Sequence, residues 1–247
     1  INADLWSENS EVAKIHVSPS QFTDLKSQLP KDAKLNVLVE DVQKTIDDAD
    51  EGSSARSADW FAAYHTYDEI KAWYTQHAQN NAGAVKFVPS IGKTLQGNDI
   101  FAVHLTNPNG AAKKKIWFES LIHAREWITG TTTQYIFNEF VTKRQSDPTI
   151  KSLLDQVEII FIPIVNPDGY KYTQTQRLWR KNRNGSGVDL NRNFPFHWGG
   201  PGASTDPNSE TYRGKSAGSE LETQAITKYY SAQGPIAGGI DWHSYSE

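Results

Sequence analysis

In Ile116-Trp117-Phe118-Glu119-Ser120-Leu121-Ile122-His123-Ala124-Arg125-Glu126 an apolar run passes straight into charged residues. Its first seven residues read as a strand. His123 follows where that strand ends. Ile128–Val141 then repeats apolar residues at helical spacing, with Tyr135, Ile136 and Phe140 expected inward. The same alternation runs outward in both directions. Val157–Val165 is so apolar that it should be a central strand, buried on both faces. Val85–Ile91 and Asp99–Leu105 read as a hairpin closed near Gly97-Asn98. Ile240–Trp242 reads as the last strand. Thr66-Tyr67-Asp68-Glu69 and Ser219-Glu220-Leu221-Glu222 are capping boxes that open helices, the first with Ile70, Trp73, Tyr74 and His77 on one face. Strands alternating with helices predict an α/β domain.

The 247 residues include 25 Lys plus Arg and 29 Asp plus Glu, for a net charge of −4, and 37% are hydrophobic. That balance suits a globular chain. No window holds ~18 consecutive apolar residues, so no membrane span is expected. The mild negative charge gives no electrostatic case for nucleic acid. Cys is absent, which removes disulfides and a cysteine nucleophile. Met is absent too, so the chain is expected to begin downstream of a start codon, as a processed form or a fragment.

The charge divides unevenly. Residues 1–57 carry 11 acidic and 6 basic residues; 58–247 carry 18 and 19. The change falls at Asp47-Asp48-Ala49-Asp50-Glu51-Gly52-Ser53-Ser54-Ala55-Arg56-Ser57, whose composition is that of an exposed linker that proteases reach. Ahead of it, Ala13–Val17 alternates like a strand, and Ser18-Pro19-Ser20-Gln21 caps a helix carrying Phe22, Leu25 and Leu29. Leu35–Val39 reads as a second strand, and Val42 with Ile46 as a short helix.

His123 and Glu126, three residues apart, can point the same way at the start of a helix. An imidazole and a carboxylate held together suit zinc. His243, just past Ile240–Trp242, fits as a third ligand, and three protein ligands leave a position for water. Ligands also bind beyond the carboxyl ends of strands in open α/β sheets. By itself the pair is a weak signal, equally what a His beside an unrelated surface Glu looks like. His16, His65, His77, His104 and His197 read as surface or packing residues. Gly92-Lys93-Thr94 lacks the first glycine of a phosphate loop, so nucleotide binding is rejected there. Asn166-Pro167-Asp168-Gly169-Tyr170 reads as a turn. Arg177, Arg180 and Arg183 are suited to a carboxylate or an oxyanion, or form a solvated face.

His123-Ala124-Arg125-Glu126-Trp127-Ile128, Asn166–Tyr170, Trp179-Arg180-Lys181-Asn182-Arg183, Asp189–Asn193 and His243-Ser244-Tyr245-Ser246 together resemble the zinc metallocarboxypeptidase family, in its A/B (digestive-type) branch, in order and spacing. The resemblance implies an α/β fold with a mixed, mostly parallel sheet and helices on both faces. It implies that residues 1–57 are a partial α+β, ferredoxin-like inhibitory pro-segment with its activation linker, and 58–247 a C-terminally incomplete catalytic domain. It implies one zinc ion held by His123, Glu126 and His243, a ligand set known for such catalytic sites. Asp189 resembles the carboxylate that orients His123, and Arg180 the residue that stabilises the oxyanion. Asn191 and Arg192 resemble the grip on the substrate's terminal carboxylate. Arg125, Ser244 and Tyr245 resemble residues of the neighbouring subsite, and Arg177 one that guides substrate.

The implied activity is hydrolysis of the C-terminal peptide bond of peptides and proteins, by a secreted, monomeric zymogen that an activating protease cuts near Arg56. Three departures stand against the pattern. The family's general-base Glu and pocket-base residue have no counterpart up to Glu247, and Glu119 is not in the base position, so little turnover is expected of this chain as it stands. Ser186 and Asn208 stand where mammalian members have a disulfide. The pro-segment lacks its first strand and helix. The alternatives are a non-catalytic zinc- or peptide-binding protein of this fold and a zinc amidohydrolase acting on other acyl substrates.

Overall fold

The computed structural model describes residues 4–8, 13–30, 33–41, 44, 60–108 and 113–244. Two compact units fall within Ile1–Arg56 and Ser57–Ser244. The expected boundary after Ser57, the helix at Val42 and Ile46, and Tyr245 lie outside the described residues.

In the first unit, β1 (Asp4–Glu8) pairs antiparallel with β2 (Ala13–His16), followed by α1 (Pro19–Gln28). The capping box at Ser18 forms as the sequence predicts. Ser18 Oγ accepts from Gln21 N at 3.3 Å, and Gln21 Oε1 accepts from Ser18 N at 2.8 Å. The strand expected at Leu35–Val39 is not there. The run has no partner strand among the described residues, and Leu38 is 73% exposed. β-branched residues form a strand only where a neighbour offers a ladder and a surface to bury against.

The second unit is built on a five-stranded mixed sheet of β3 (Val85–Lys93), β4 (Asp99–Leu105), β5 (Lys114–Ser120), β6 (Val157–Ile162) and β7 (Ile236–Trp242), in the order β3-β4-β6-β5-β7. β3, β4 and β6 pair antiparallel; β6, β5 and β7 pair parallel. Around the sheet lie α2 (Tyr67–Asn80), α3 (Trp127–Lys143), α4 (Pro148–Gln156), α5 (Pro167–Tyr172) and α6 (Leu221–Ala232). β6 is the central strand, as its apolar run predicts. Ile159 and Phe161 point into a core shared with Ile70 and Tyr74 of α2, Phe137 of α3 and Leu154 of α4. Ile160 and Ile162 point the other way, to Ala225 and Ile226 of α6. Alternating side chains thus bury both faces of one strand, with each large apolar group contributing about 1.5–3 kcal/mol.

Three local expectations are corrected. On α3, Ile136 and Phe140 pack against the core as expected, but Tyr135 is 51% exposed and the fully buried stripe is Gly130, Thr133, Phe137 and Val141. Hydropathy misses the stripe because two of its members are small. A Cβ on Gly130 would lie 2.6 Å from Leu121 Cδ1, so glycine lets α3 approach the end of β5. Asn166–Tyr170 is not a plain turn. Asn166 Oδ1 accepts from Gly169 N at 2.9 Å and starts α5, with Pro167 in its first turn. The box at Ser219 does not form. Glu220 occupies the N-cap, and its carboxylate accepts from Ser219 Oγ, Asn182 Nδ2 and Asn184 Nδ2 at 2.6–2.9 Å. Those donors leave it no part in capping.

Glu222 follows in the first turn of α6. It is buried, with Asn182 Nδ2 at 3.3 Å and Oε1 without a hydrogen-bond partner among the described residues. Burial pushes its carboxyl up to about 7. The unfolded chain therefore ionises Glu222 near its ordinary range while the folded one still holds the proton. This group's contribution is present at acid pH and is lost as pH rises through about 7. Urea unfolding at pH 5 and pH 8 should show wild type losing more stability across that interval than Glu222→Gln, by on the order of 2–3 kcal/mol. Identical losses in the two proteins would contradict this.

Candidate metal centre

β5 and β7 are parallel neighbours, so their carboxyl ends lie side by side. Beyond β5, Leu121 takes a left-handed φ of 54°, and Leu121 N reaches Thr129 Oγ1 at 3.3 Å. A non-glycine residue there carries strain of roughly 1 kcal/mol, held by the packing of Leu121 against α3. The bend brings His123 out at the sheet end, and Glu126 sits at the N-cap of α3. Asn166 fixes this bend to the next segment, with Nδ2 donating to Ile122 O at 3.2 Å and Lys181 O at 3.1 Å. Ala124 N donates to Arg180 O at 2.9 Å.

The ligating atoms converge. His123 Nδ1 lies 2.9 Å from Glu126 Oε1 and 3.0 Å from His243 Nδ1, and His243 Nδ1 lies 3.3 Å from Glu126 Oε2. One atom from each of the three residues falls within a 4.8 Å group, the only such group among the described residues. His123 Nε2 faces Asp189 Oδ1 at 3.0 Å and must donate there, because a carboxylate only accepts. In the neutral ring, Nδ1 of His123 then presents a lone pair, as do the carboxylate oxygens beside it. Two imidazole nitrogens and a carboxylate converging on one point form a donor set that holds a cation, and N and O donors suit zinc.

The charges agree with that reading. Burial opposes ionisation of Glu126, but the neighbouring His123 and His243 together outweigh it and pull the carboxyl down to about 2. Asp189 is fully buried, yet His123 and Arg180 hold it well below the usual carboxylate range. Hydrogen bonds to Asp241 and then Glu126 lift His243 to about 10, so the cluster holds a positive charge tightly. Glu119 is pushed up by burial and then by Asp241, and Trp117 Nε1 donates to its Oε2 at 2.7 Å.

The remaining residues stand around this cluster. Arg180 Nη2 donates to Asp189 Oδ2 at 2.9 Å, and its Nη1 lies 3.8 Å from Glu126 Oε1. Ser244 N donates to Glu126 Oε2 at 3.1 Å. Asp189 Oδ1 also accepts from Asn191 N at 3.0 Å, placing Asn191 Nδ2 3.4 Å from His243 Nε2. Arg192 donates from Nε to Gly202 O at 3.0 Å and from Nη1 to Asn191 O at 3.2 Å. Arg125 donates to Leu178 O at 3.2 Å and meets Glu210 at 3.4 Å. Arg177 donates to Arg125 O at 2.8 Å and stacks on Trp127, and Arg183 stacks on Tyr172. The other described histidines serve elsewhere. His65 stacks on Trp60, His77 packs by Phe137, and His104 is buried between Glu158 and Tyr229. His197 is exposed. Thr94 bonds the buried Asp168 of α5, which fits a structural part for Gly92-Lys93-Thr94.

The sequence reading missed Asn166 as a clamp, Glu210 as the partner of Arg125, and Asp241. Only Asp241 had a signal: it stands two residues before His243, near the end of the last strand.

The chain belongs to the zinc carboxypeptidase family, whose profile matches residues 70–247. It is 35% identical over 266 residues to metallocarboxypeptidase A of Trichophyton rubrum, covering 100% of this chain and 63% of that protein. It is 38% identical over 250 residues to zinc carboxypeptidase A 1 of Drosophila melanogaster, covering 95% and 57%. The crystal structure of carboxypeptidase A from Helicoverpa armigera matches with a TM-score of 0.86 at 28% identity, over 99% of this chain and 64% of that one. The chain thus spans less than two thirds of the length of these relatives.

Protein dialysed against zinc should retain roughly one ion per chain, and His123→Ala should retain less than about a tenth of that. Metal analysis after gel filtration checks it. Equal zinc in the two proteins would remove His123 from the ligand set.

Proposed function

We propose that the protein is a zinc-dependent exopeptidase precursor that hydrolyses the C-terminal peptide bond of peptides and proteins. The observation that carries this reading is the convergence of His123 Nδ1, His243 Nδ1 and the Glu126 carboxylate, with the Asn191-Arg192 turn in contact with it. Zinc held there would polarise a carbonyl oxygen and lower the pKa of water. Asp189 keeps the His123 ring oriented. Arg180 lies along the same edge, where its guanidinium stabilises negative charge developing on the carbonyl oxygen.

Asn191 and Arg192 bind the substrate's terminal carboxylate in this reading. Two backbone carbonyls hold the Arg192 guanidinium, so little side-chain freedom is lost on binding. Arg125, Ser244 and Tyr245 line the neighbouring subsite, with Glu210 steadying Arg125. Glu119 is not assigned the general base, because it is buried and bonded to Trp117. Residues 1–57 act as the inhibitory segment, and an activating protease cuts near Arg56. Secretion and a monomeric state belong to the same reading.

The clamp makes a specific demand on substrate. In the full-length active protein, Arg192→Ala should lower kcat/KM about 10- to 100-fold on peptides with a free C-terminus, the scale of a lost charge-assisted hydrogen bond. The small activity on C-terminally amidated peptides should stay near wild type. Equal loss on both substrates would reject the clamp.

A further inference from the structure

Two histidines need orienting at this centre, and Asp189 holds only one of them. His243 turns Nδ1 toward His123 and Glu126. Its Nε2 faces two side chains, Asp241 Oδ2 at 2.8 Å and Asn191 Nδ2 at 3.4 Å. The distances decide which one sets the ring. A carboxylate oxygen only accepts, so at 2.8 Å Nε2 must carry the proton; otherwise two lone pairs would oppose each other. Asn191 lies at the outer limit of hydrogen bonding, and its amide nitrogen is itself a donor.

The position of Asp241 is fixed by the sheet. It lies on β7, paired in register with Glu119 of β5, two residues before His243. A ladder residue is held more rigidly than a loop residue. Its second oxygen, Oδ1, is buried and has no hydrogen-bond partner among the described residues. Leaving a buried carboxylate oxygen unpaired is unfavourable, so the fold alone gives no reason for an acid here.

We propose that Asp241 is a positioning residue of the metal centre. It holds His243 with Nε2 protonated and Nδ1 turned inward, as Asp189 does for His123. The proposal rests on the reading of His123, Glu126 and His243 as zinc ligands. Carboxylates that orient a ligating histidine typically change metal affinity by about 10- to 100-fold. Neither is a ligand, and they come from different places: Asp189 precedes the Leu190–Arg192 turn, while Asp241 is in the sheet.

The test is zinc affinity of the full-length protein, measured by competition with a chelator, for wild type, Asp241→Asn and Asp241→Ala. Both variants should bind zinc ~10- to 100-fold more weakly. Proton NMR of the cobalt-substituted protein gives a readout that a purely structural role would not move. Each ligating histidine has one exchangeable ring N–H, and Asp241→Asn should speed solvent exchange of the His243 proton while sparing that of His123. Wild-type affinity in Asp241→Asn, with both ring protons kept, would overturn the proposal and leave the ligand set standing. A wild-type protein that takes up no zinc would overturn the ligand set, and this proposal with it. If the variants fail to fold, the wild-type cobalt protein decides alone. A slowly exchanging His243 ring proton supports the Asp241 hydrogen bond, and one exchanging as fast as in free imidazole refutes it.

Discussion

A neutral histidine has one nitrogen that donates and one that accepts, and the hydrogen bond between His123 Nε2 and Asp189 Oδ1 decides which is which. With Nε2 committed to a buried carboxylate, Nδ1 is left as a lone pair aimed at Glu126 and His243. Every feature of the site depends on that assignment. Asp189 can make it because it is itself fixed: Asp189 N donates to Tyr212 O at 2.8 Å, and Arg180 braces the second oxygen. Arg180 is set in turn by the bond from Ala124 N to its carbonyl, which ties the segment back to the residue after His123. The site is a closed loop of constraints among segments far apart in sequence.

The sheet supplies the other half of the geometry. Parallel neighbours lie ~4.8 Å apart and end on the same side, so residues just past β5 and β7 can share one ion. Burial of β6 on both faces fixes the register of β5 beside it. Leu121 then turns the chain, at the cost of a left-handed φ, and Gly130 makes room for α3 at the turn. Helix, bend and strand together locate Glu126, His123 and His243.

Much of this was legible in the residues. The central strand, the hairpin and the capping boxes at Ser18 and Thr66 follow from apolar runs and cap chemistry, which act locally. His123, Glu126 and His243 stood out because each follows a strand, and the family motifs joined them. What failed depends on partners distant in the chain. Leu35–Val39 has the composition of a strand but no ladder beside it among the described residues. The Ser219 box lost to Asn182 and Asn184, which claim Glu220. The inward face of α3 was hidden because Gly130 and Thr133 are not apolar. Asn166 acts through hydrogen bonds to carbonyls distant in the chain, of which composition carries no trace, while Asp241 is marked only by its place two residues before His243.

One zinc ion is expected among His123, Glu126 and His243. Anomalous diffraction at the zinc absorption edge, from crystals of the full-length protein, tests it directly. A single strong peak within ~2.0–2.2 Å of His123 Nδ1, His243 Nδ1 and a Glu126 oxygen is the predicted result. A peak elsewhere, or none there in zinc-saturated crystals, would contradict the account.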